Sequence, residues 1–214
     1  CARPIYYGRD NENGARMAVA ELNAQGLSIG GKKVKFELVA EDDAADPKQG
    51  TAAAQKLCDA KVNGVIGHLN SGTSIPASKI YSDAGIPQIS PSATNPKFTR
   101  NGYKTTFRVV ADDVHLGGTL GRYAVKELKG KSIAVIDDRT AYGQGVAEEF
   151  AKAVKASGGA IAEPLLTRGG LAQGQGHLGG AAGPAEAVIG AGGDQGAYDH
   201  QSQGLHGGRP VPSD

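Results

Sequence analysis

Two short stretches concentrate hydroxyl groups where they could grip a small anion. Asn70-Ser71-Gly72-Thr73 and Ser92-Ala93-Thr94-Asn95 each follow a short strand-like run, and the first passes directly into a segment of helical character. A strand that ends in a Ser/Thr turn and continues as a helix offers hydroxyls together with the unpaired N–H groups of a helix N-terminus, a suitable seat for a carboxylate. In open parallel sheets, ligands bind outside the carboxyl ends of strands, which is the position Ser71 takes. By themselves, Ser71 and Thr94 read as helix caps that bond their own backbone.

Other reactive side chains are poorer candidates. Glu41, Asp42, Asp43 and Asp46 cluster, but they lack the alternating ligand spacing of a calcium loop and run into a helix cap, so they read as a solvated strand exit. His68 lies inside an apolar run with no histidine or cysteine at ligand spacing, as expected of a core or supporting histidine with a satisfied ring. No G-x-S-x-G elbow surrounds Ser71, and GGTLGR (117–122) falls within a helical stretch instead of a strand-to-helix turn, so neither a nucleophile nor a dinucleotide loop is indicated. Asp137 and Asp138, at a strand end, are expected to bond a loop. No metal or cofactor is implied.

The elements that must position these loops alternate. Ala15, Val19 and Leu22 recur at helical spacing within residues 11–23, whereas VKFELV (34–39) alternates strictly and predicts a strand. Asp46 as N-cap, Pro47 at the first helical position and Gln49 at the third open a helix to about residue 60, expected to pack on a sheet through Ala53, Ala54 and Leu57. Next come a buried apolar strand at 63–69, a helix at 73–83, strands at 87–90 and 105–110, a helix at 113–128, the strand SIAVID (132–137) and a helix at 143–156. Val146, Phe150, Ala153 and Val154 predict the apolar face of that last helix, with Glu148 and Lys152 paired outside. This alternation predicts an α/β fold of doubly wound parallel sheets.

From about Arg168 glycine, glutamine and alanine dominate, and only AEAVIG keeps any patterning, so residues 167–214 are expected to hold no core. Such a switch fits either a flexible segment or an out-of-frame one. A formal net charge of +1 over 214 residues leaves no basic footprint for nucleic acid or an anionic membrane. No apolar stretch approaches the roughly 20 residues of a membrane span, and the start lacks a signal-peptide core. Cys1 and Cys58 are not expected to pair; Cys1 reads as a cut end or as the lipid-bearing residue of a lipoprotein.

DNENGARMAVAELNAQG, AEDDAADPKQGTAAAQKL, VIGHLNSGTSIPASKIYSDAGIPQISPSATNP and IDDRTAYGQGVAEEF together resemble the periplasmic leucine/isoleucine/valine-binding proteins, the type I solute-binding components of ABC importers. The resemblance runs from about Tyr7 to Ala162. It implies two lobes that close on an amino acid, with the first crossing near Ala111–Asp113. Residues 1–111 would then form the first lobe without its first strand, 112–166 part of the second lobe, and 167–214 a Gly-rich tail.

The resemblance further implies roles for particular residues. Ser71 and Thr94 would bind the ligand carboxylate, the Ser92 carbonyl and Thr94 hydroxyl would help hold the ammonium, Ala93 belongs to the same loop, and Leu69, Asn70 and Tyr7 would border the side-chain pocket. Tyr142 would close over the ligand. The positions of a disulfide found in some relatives are Ala45 and Asn70 here. The implied protein is a periplasmic, non-enzymatic monomer that binds branched-chain amino acids, docks on a membrane permease and needs no nucleic acid. A sensory domain for amides or other small solutes, and an α/β enzyme, stand as alternatives.

Overall fold

The computed structural model describes residues 5–162 together with short strands at 166–167 and 187–191, with side chains from residue 8 to residue 162. Its first part comprises α1 (Ile5–Gln25), the hairpin β1 (Ser28–Ile29) and β2 (Lys32–Lys33), α2 (Pro47–Asp59), β3 (Val65–Ile66), α3 (Ser71–Asp83), β4 (Gln88–Ser90), the single turn α4 (Lys97–Arg100) and β5 (Thr106–Arg108). The second comprises α5 (Asp113–Lys126), β6 (Ser132–Asp137), α6 (Ala141–Ala156), β7 (Ala160–Ile161), β8 (Leu166–Thr167) and β9 (Ala187–Ala191). The predicted helices and strands are therefore largely present, and both main sheets are parallel.

The first of these sheets runs β3-β4-β5. Its register aligns Val65, Gln88 and Thr106 in one row and Ile66, Ile89 and Phe107 in the next. The first row is buried and the second exposed, Ile66 to 59%, because successive side chains on a strand point to opposite faces. The expectation of a fully buried strand at 63–69 is thus corrected: α2 and α3 cover one face only. Ala54, Val65, Ala77, Tyr81 and Ile86 make the core on that side, with Leu57 packed against it. Gly50 lets α2 approach α3 closely, since a Cβ there would stand 3.0 Å from that of Thr73.

The start of α2 is as its sequence predicts. The Asp46 carboxylate accepts hydrogen bonds from the Lys48 and Gln49 N–H groups, both at 2.9 Å, and satisfies two donors that no helical carbonyl can reach. α1 begins earlier than predicted and stops at Gly26, whose φ of +61° suits a residue without a Cβ.

VKFELV does not form a strand. Its burial still alternates, but no ladder partner lies beside it among the described residues. Instead the Asn23 side chain serves both backbone groups of Phe36, accepting from its N–H at 2.8 Å and donating to its carbonyl at 2.9 Å. An alternating pattern specifies a face, whereas a strand also needs a neighbouring backbone.

In the second sheet β6 pairs in parallel with β7, β8 and β9. β9 comes from the only patterned patch of the tail, so residues 187–191 do contribute to a sheet; the other expectations for 168–214 lie outside the described residues. Ile133, Val135, Ala147, Phe150 and Val154 form the core with Ala124. Gly117 and Gly121, inside α5 as the sequence implied, bring that helix onto α6: a Cβ at either would fall 2.7 Å from the Val146 carbonyl oxygen or 2.6 Å from that of Phe150. Lys152 pairs with Glu149 at 2.6 Å, not with the expected Glu148, because three residues apart is as close on a helix surface as four. Cys58 is a free, half-buried thiol, and Cys1 lies outside the described residues.

Candidate ligand site at the strand ends of the first sheet

Leaving β3 and β4, the chain enters two loops that are stitched to each other. The Ser90 hydroxyl donates to the His68 carbonyl at 2.7 Å and accepts from the Ala93 N–H at 2.9 Å. Ser92 Oγ donates to the Leu69 carbonyl at 2.6 Å. Ser71 Oγ accepts from the Asn95 N–H at 3.2 Å. Leu69, Asn70, Ser71, Ser92, Ala93 and Thr94, which the sequence nominates together, are therefore brought into one cluster.

Neither hydroxyl acts as a helix cap. Asn70 holds the N-cap position of α3 and its side chain makes no capping bond, while Ser71, first residue of the helix, reaches across to the other loop. That leaves the N-terminal dipole of α3 without a side-chain acceptor. Thr94 Oγ1 is buried and makes no hydrogen bond of good geometry. Among the described residues no hydrogen bond reaches the Thr94 N–H or the Ser92 carbonyl either. Buried polar groups without partners are rare in folded proteins and need an explanation.

Tyr142 stands in the first turn of α6, half-buried. The start of α6 is joined to the loop by Asn95 Nδ2, which donates to the Ala141 carbonyl at 2.7 Å. Burial pushes the Tyr142 phenol pKa up, and the negative charges of Asp113 and Asp138 push it further. Tyr7 is the exception among the nominated residues: it lies in the first turn of α1, and its side chain is outside the described residues.

Two contributors lie outside the loops that the sequence marks. Asp113, fully buried, donates its N–H to the Thr94 carbonyl at 2.9 Å, and neither carboxylate oxygen has a hydrogen-bond partner. Burial raises its pKa most, opposed by the nearby Thr94 hydroxyl and the Arg108 charge. It fits only because position 145 is glycine, where a Cβ would lie 2.2 Å from Asp113 Oδ2. Arg108 is the other, and only the tertiary contacts reveal it; Asn95, the last residue of the marked second loop, gains its link to α6 only in the fold.

The surrounding acids are occupied. Asp42 and Asp43 accept from the Ala44 and Ala45 N–H groups, and Glu41 pairs with Lys56 at 3.1 Å. His68 is supported as expected, with Nδ1 2.6 Å from Asp43 Oδ2 and Nε2 3.1 Å from the Tyr81 hydroxyl. Burial acts to raise the Asp43 pKa, but the hydrogen bonds of His68, the Ala45 N–H and Thr73 outweigh it and the net shift is downward. Asp137 accepts from the Arg139 N–H and Asp138 from Thr140, the loop bonding foreseen for them.

The chain is similar in sequence and fold to known proteins. The periplasmic binding protein family matches residues 4–171, and the chain belongs to that family. Leu/Ile/Val-binding protein homolog 1 of Brucella abortus is 44% identical over 146 residues, 68% of this chain and 38% of that protein. An ABC transporter substrate-binding protein of Desulfitobacterium hafniense, solved in complex with Leu, is 36% identical with a TM-score of 0.60 over 71% of this chain and 44% of its own. The branched-chain amino acid transporter substrate-binding protein of Streptococcus pneumoniae, solved with isoleucine, has a TM-score of 0.67 at 26% identity, over 86% of this chain and 52% of its own.

Over the part it shares with these proteins, the chain has the type I periplasmic-binding-protein α/β fold. It spans about two fifths of the length of the curated relatives it matches.

Proposed function

We propose that this chain carries the first-lobe half-site of a substrate-binding component of an ABC importer, one that binds the branched-chain amino acids leucine, isoleucine and valine. The observation that carries this reading is the cluster of groups at Thr94: an unclaimed N–H, the nearby Ser92 carbonyl and a buried hydroxyl whose neighbour is the Asp113 carboxylate, beside the open N-terminus of α3. A zwitterion supplies the acceptor and the donors such a cluster needs, and an anion at a helix N-terminus is favoured by the helix dipole. Relatives bound to Leu and isoleucine support the choice of ligand.

In this reading Ser71 and Thr94 bind the carboxylate, the Ser92 carbonyl and Thr94 hydroxyl hold the ammonium, Ala93 shapes the loop, and Leu69, Asn70 and Tyr7 border the side-chain pocket. Residues 1–111 belong to the first lobe and 112–166 to the second, whose Tyr142 moves over the ligand as the lobes close. Binding is non-covalent, and the protein works as a periplasmic monomer that delivers its ligand to a membrane permease without nucleic acid.

Calorimetry of the chain with leucine, isoleucine, valine, phenylalanine, short amides and a nucleotide panel tests the reading. Heat from the aliphatic amino acids is expected. Binding of a nucleotide and of no amino acid would sink it.

A further inference from the structure

Three consecutive carbonyls of the second loop are held from below. Arg108 Nη1 donates to the Ala93 carbonyl at 2.8 Å and to the Asn95 carbonyl at 3.1 Å, and the Asp113 N–H takes the Thr94 carbonyl between them at 2.9 Å. Arg108 Nη2 also donates to the Thr99 hydroxyl. Behind the guanidinium lies the ring of Phe98, wholly buried, with its centroid 5.9 Å from the Arg108 Cζ, near the outer limit for a cation over an aromatic face. The side chain thus has few alternative rotamers.

We propose that Arg108 is a positioning residue for ligand binding, holding the carbonyls on either side of Thr94 so that the Thr94 N–H and hydroxyl remain available to a ligand. A loop whose carbonyls are claimed by a rigid planar fork cannot turn its own acceptors onto Thr94, so the donors there are preorganised. The cost of half-burying the guanidinium is visible as a lowered pKa, caused chiefly by desolvation and opposed by the charges of Asp112 and Asp113. The inference rests on the amino-acid-binding reading, but the structural half of its test needs no ligand.

Arg108→Lys keeps the charge and most of the stem, yet ends in a point donor that cannot span two carbonyls and a hydroxyl in one plane. Amide exchange of the unliganded chain is followed by NMR at Ala93 and Asn95, with the Gln88 N–H, bonded within the sheet to the Thr105 carbonyl, as the internal control. Exchange at Ala93 and Asn95 should rise about tenfold or more on loss of a charged hydrogen bond, with Gln88 unchanged. Leucine binding should weaken by a similar factor, and by much less when Thr94→Ala is already present, because the two residues act through one group.

Unchanged exchange at Ala93 and Asn95, a rise shared equally by Gln88, or leucine binding equal to wild type would each overturn the proposal. If wild type itself binds no leucine while the exchange contrast holds, the functional reading fails and the clamp on the loop stands.

Discussion

The interior of the first sheet sets the buried polar side chains of Ser71, Thr73, Ser74, Ser78, Gln88, Ser90 and Thr106 beside the apolar Ala54, Val65, Ala77, Tyr81 and Ile86, whereas the second sheet packs Ile133, Val135, Phe150 and Val154 beneath its helices. Burying polar groups is unfavourable unless they are hydrogen-bonded. Near the loops they are: Ser74 and Ser90 both donate to the His68 carbonyl, and Ser71 and Ser92 cross-link the strand exits. Among the described residues the buried polar group of the second sheet is the Asp137 carboxylate, which accepts from the Arg139 N–H, and the helices there join by shape, glycine against backbone. One region holds loops in a fixed geometry; the other is a scaffold that carries a tyrosine.

That contrast predicts where substitutions act. The largest effect is expected in the scaffold: Phe150→Ala should cost about 3–5 kcal/mol of stability by leaving a large cavity, read from denaturant unfolding. A loss below about 1 kcal/mol would mean that the α5–α6 core is far looser than its burial indicates.

In the polar region the expected loss is in affinity. Ser71→Ala and Thr94→Ala should each weaken leucine binding by about 1–3 kcal/mol, since part of a desolvated carboxylate is left unpaired, with smaller changes in melting temperature. Titration calorimetry checks this, and equal affinity in both variants would remove them from the site. Gly121→Ala should destabilise by about 1–3 kcal/mol through overpacking against Phe150. It should do so without changing which amino acids bind.

The smallest effect concerns the support beneath the loops. Asn at position 43 retains an acceptor for the Ala45 N–H but loses the charge beside His68, so Asp43→Asn should cost about 1 kcal/mol at neutral pH. The folded-state pKa of Asp43 is depressed. Its contribution is therefore present above the unfolded carboxyl value near about 4 and is lost as pH falls through the folded value. Urea unfolding of both proteins from pH 7 downward should show the two stabilities converging in acid; a constant gap would show that the carboxylate's ionisation is not the cause.

Much of this was legible in the linear pattern. SIAVID coincides with β6, the Asp46-Pro47 start coincides with that of α2, and the Ser71 and Thr94 loops were marked by strand-to-turn composition. VKFELV shows the limit of such reading, because its alternation is intact and its partner is absent among the described residues. Glu148 shows another, since helical spacing allows two partners for Lys152 and the ion pair forms with Glu149.

By itself, the sequence determined the alternation of helices and strands, their caps and breaks, and the family to which the chain belongs. These depend on residues within a turn or two of one another, or on motifs read in order. Only the tertiary structure decided that Ser71 bonds Asn95 across 24 positions, that Asp43 supports His68 across 25, and that Asn95 reaches Ala141 across 46. Such pairs leave no local periodicity, because their geometry is set by which strands lie side by side. The same holds for Arg108, which looks like any strand-end arginine until β5 is laid beside β4 and its fork meets the carbonyls around Thr94.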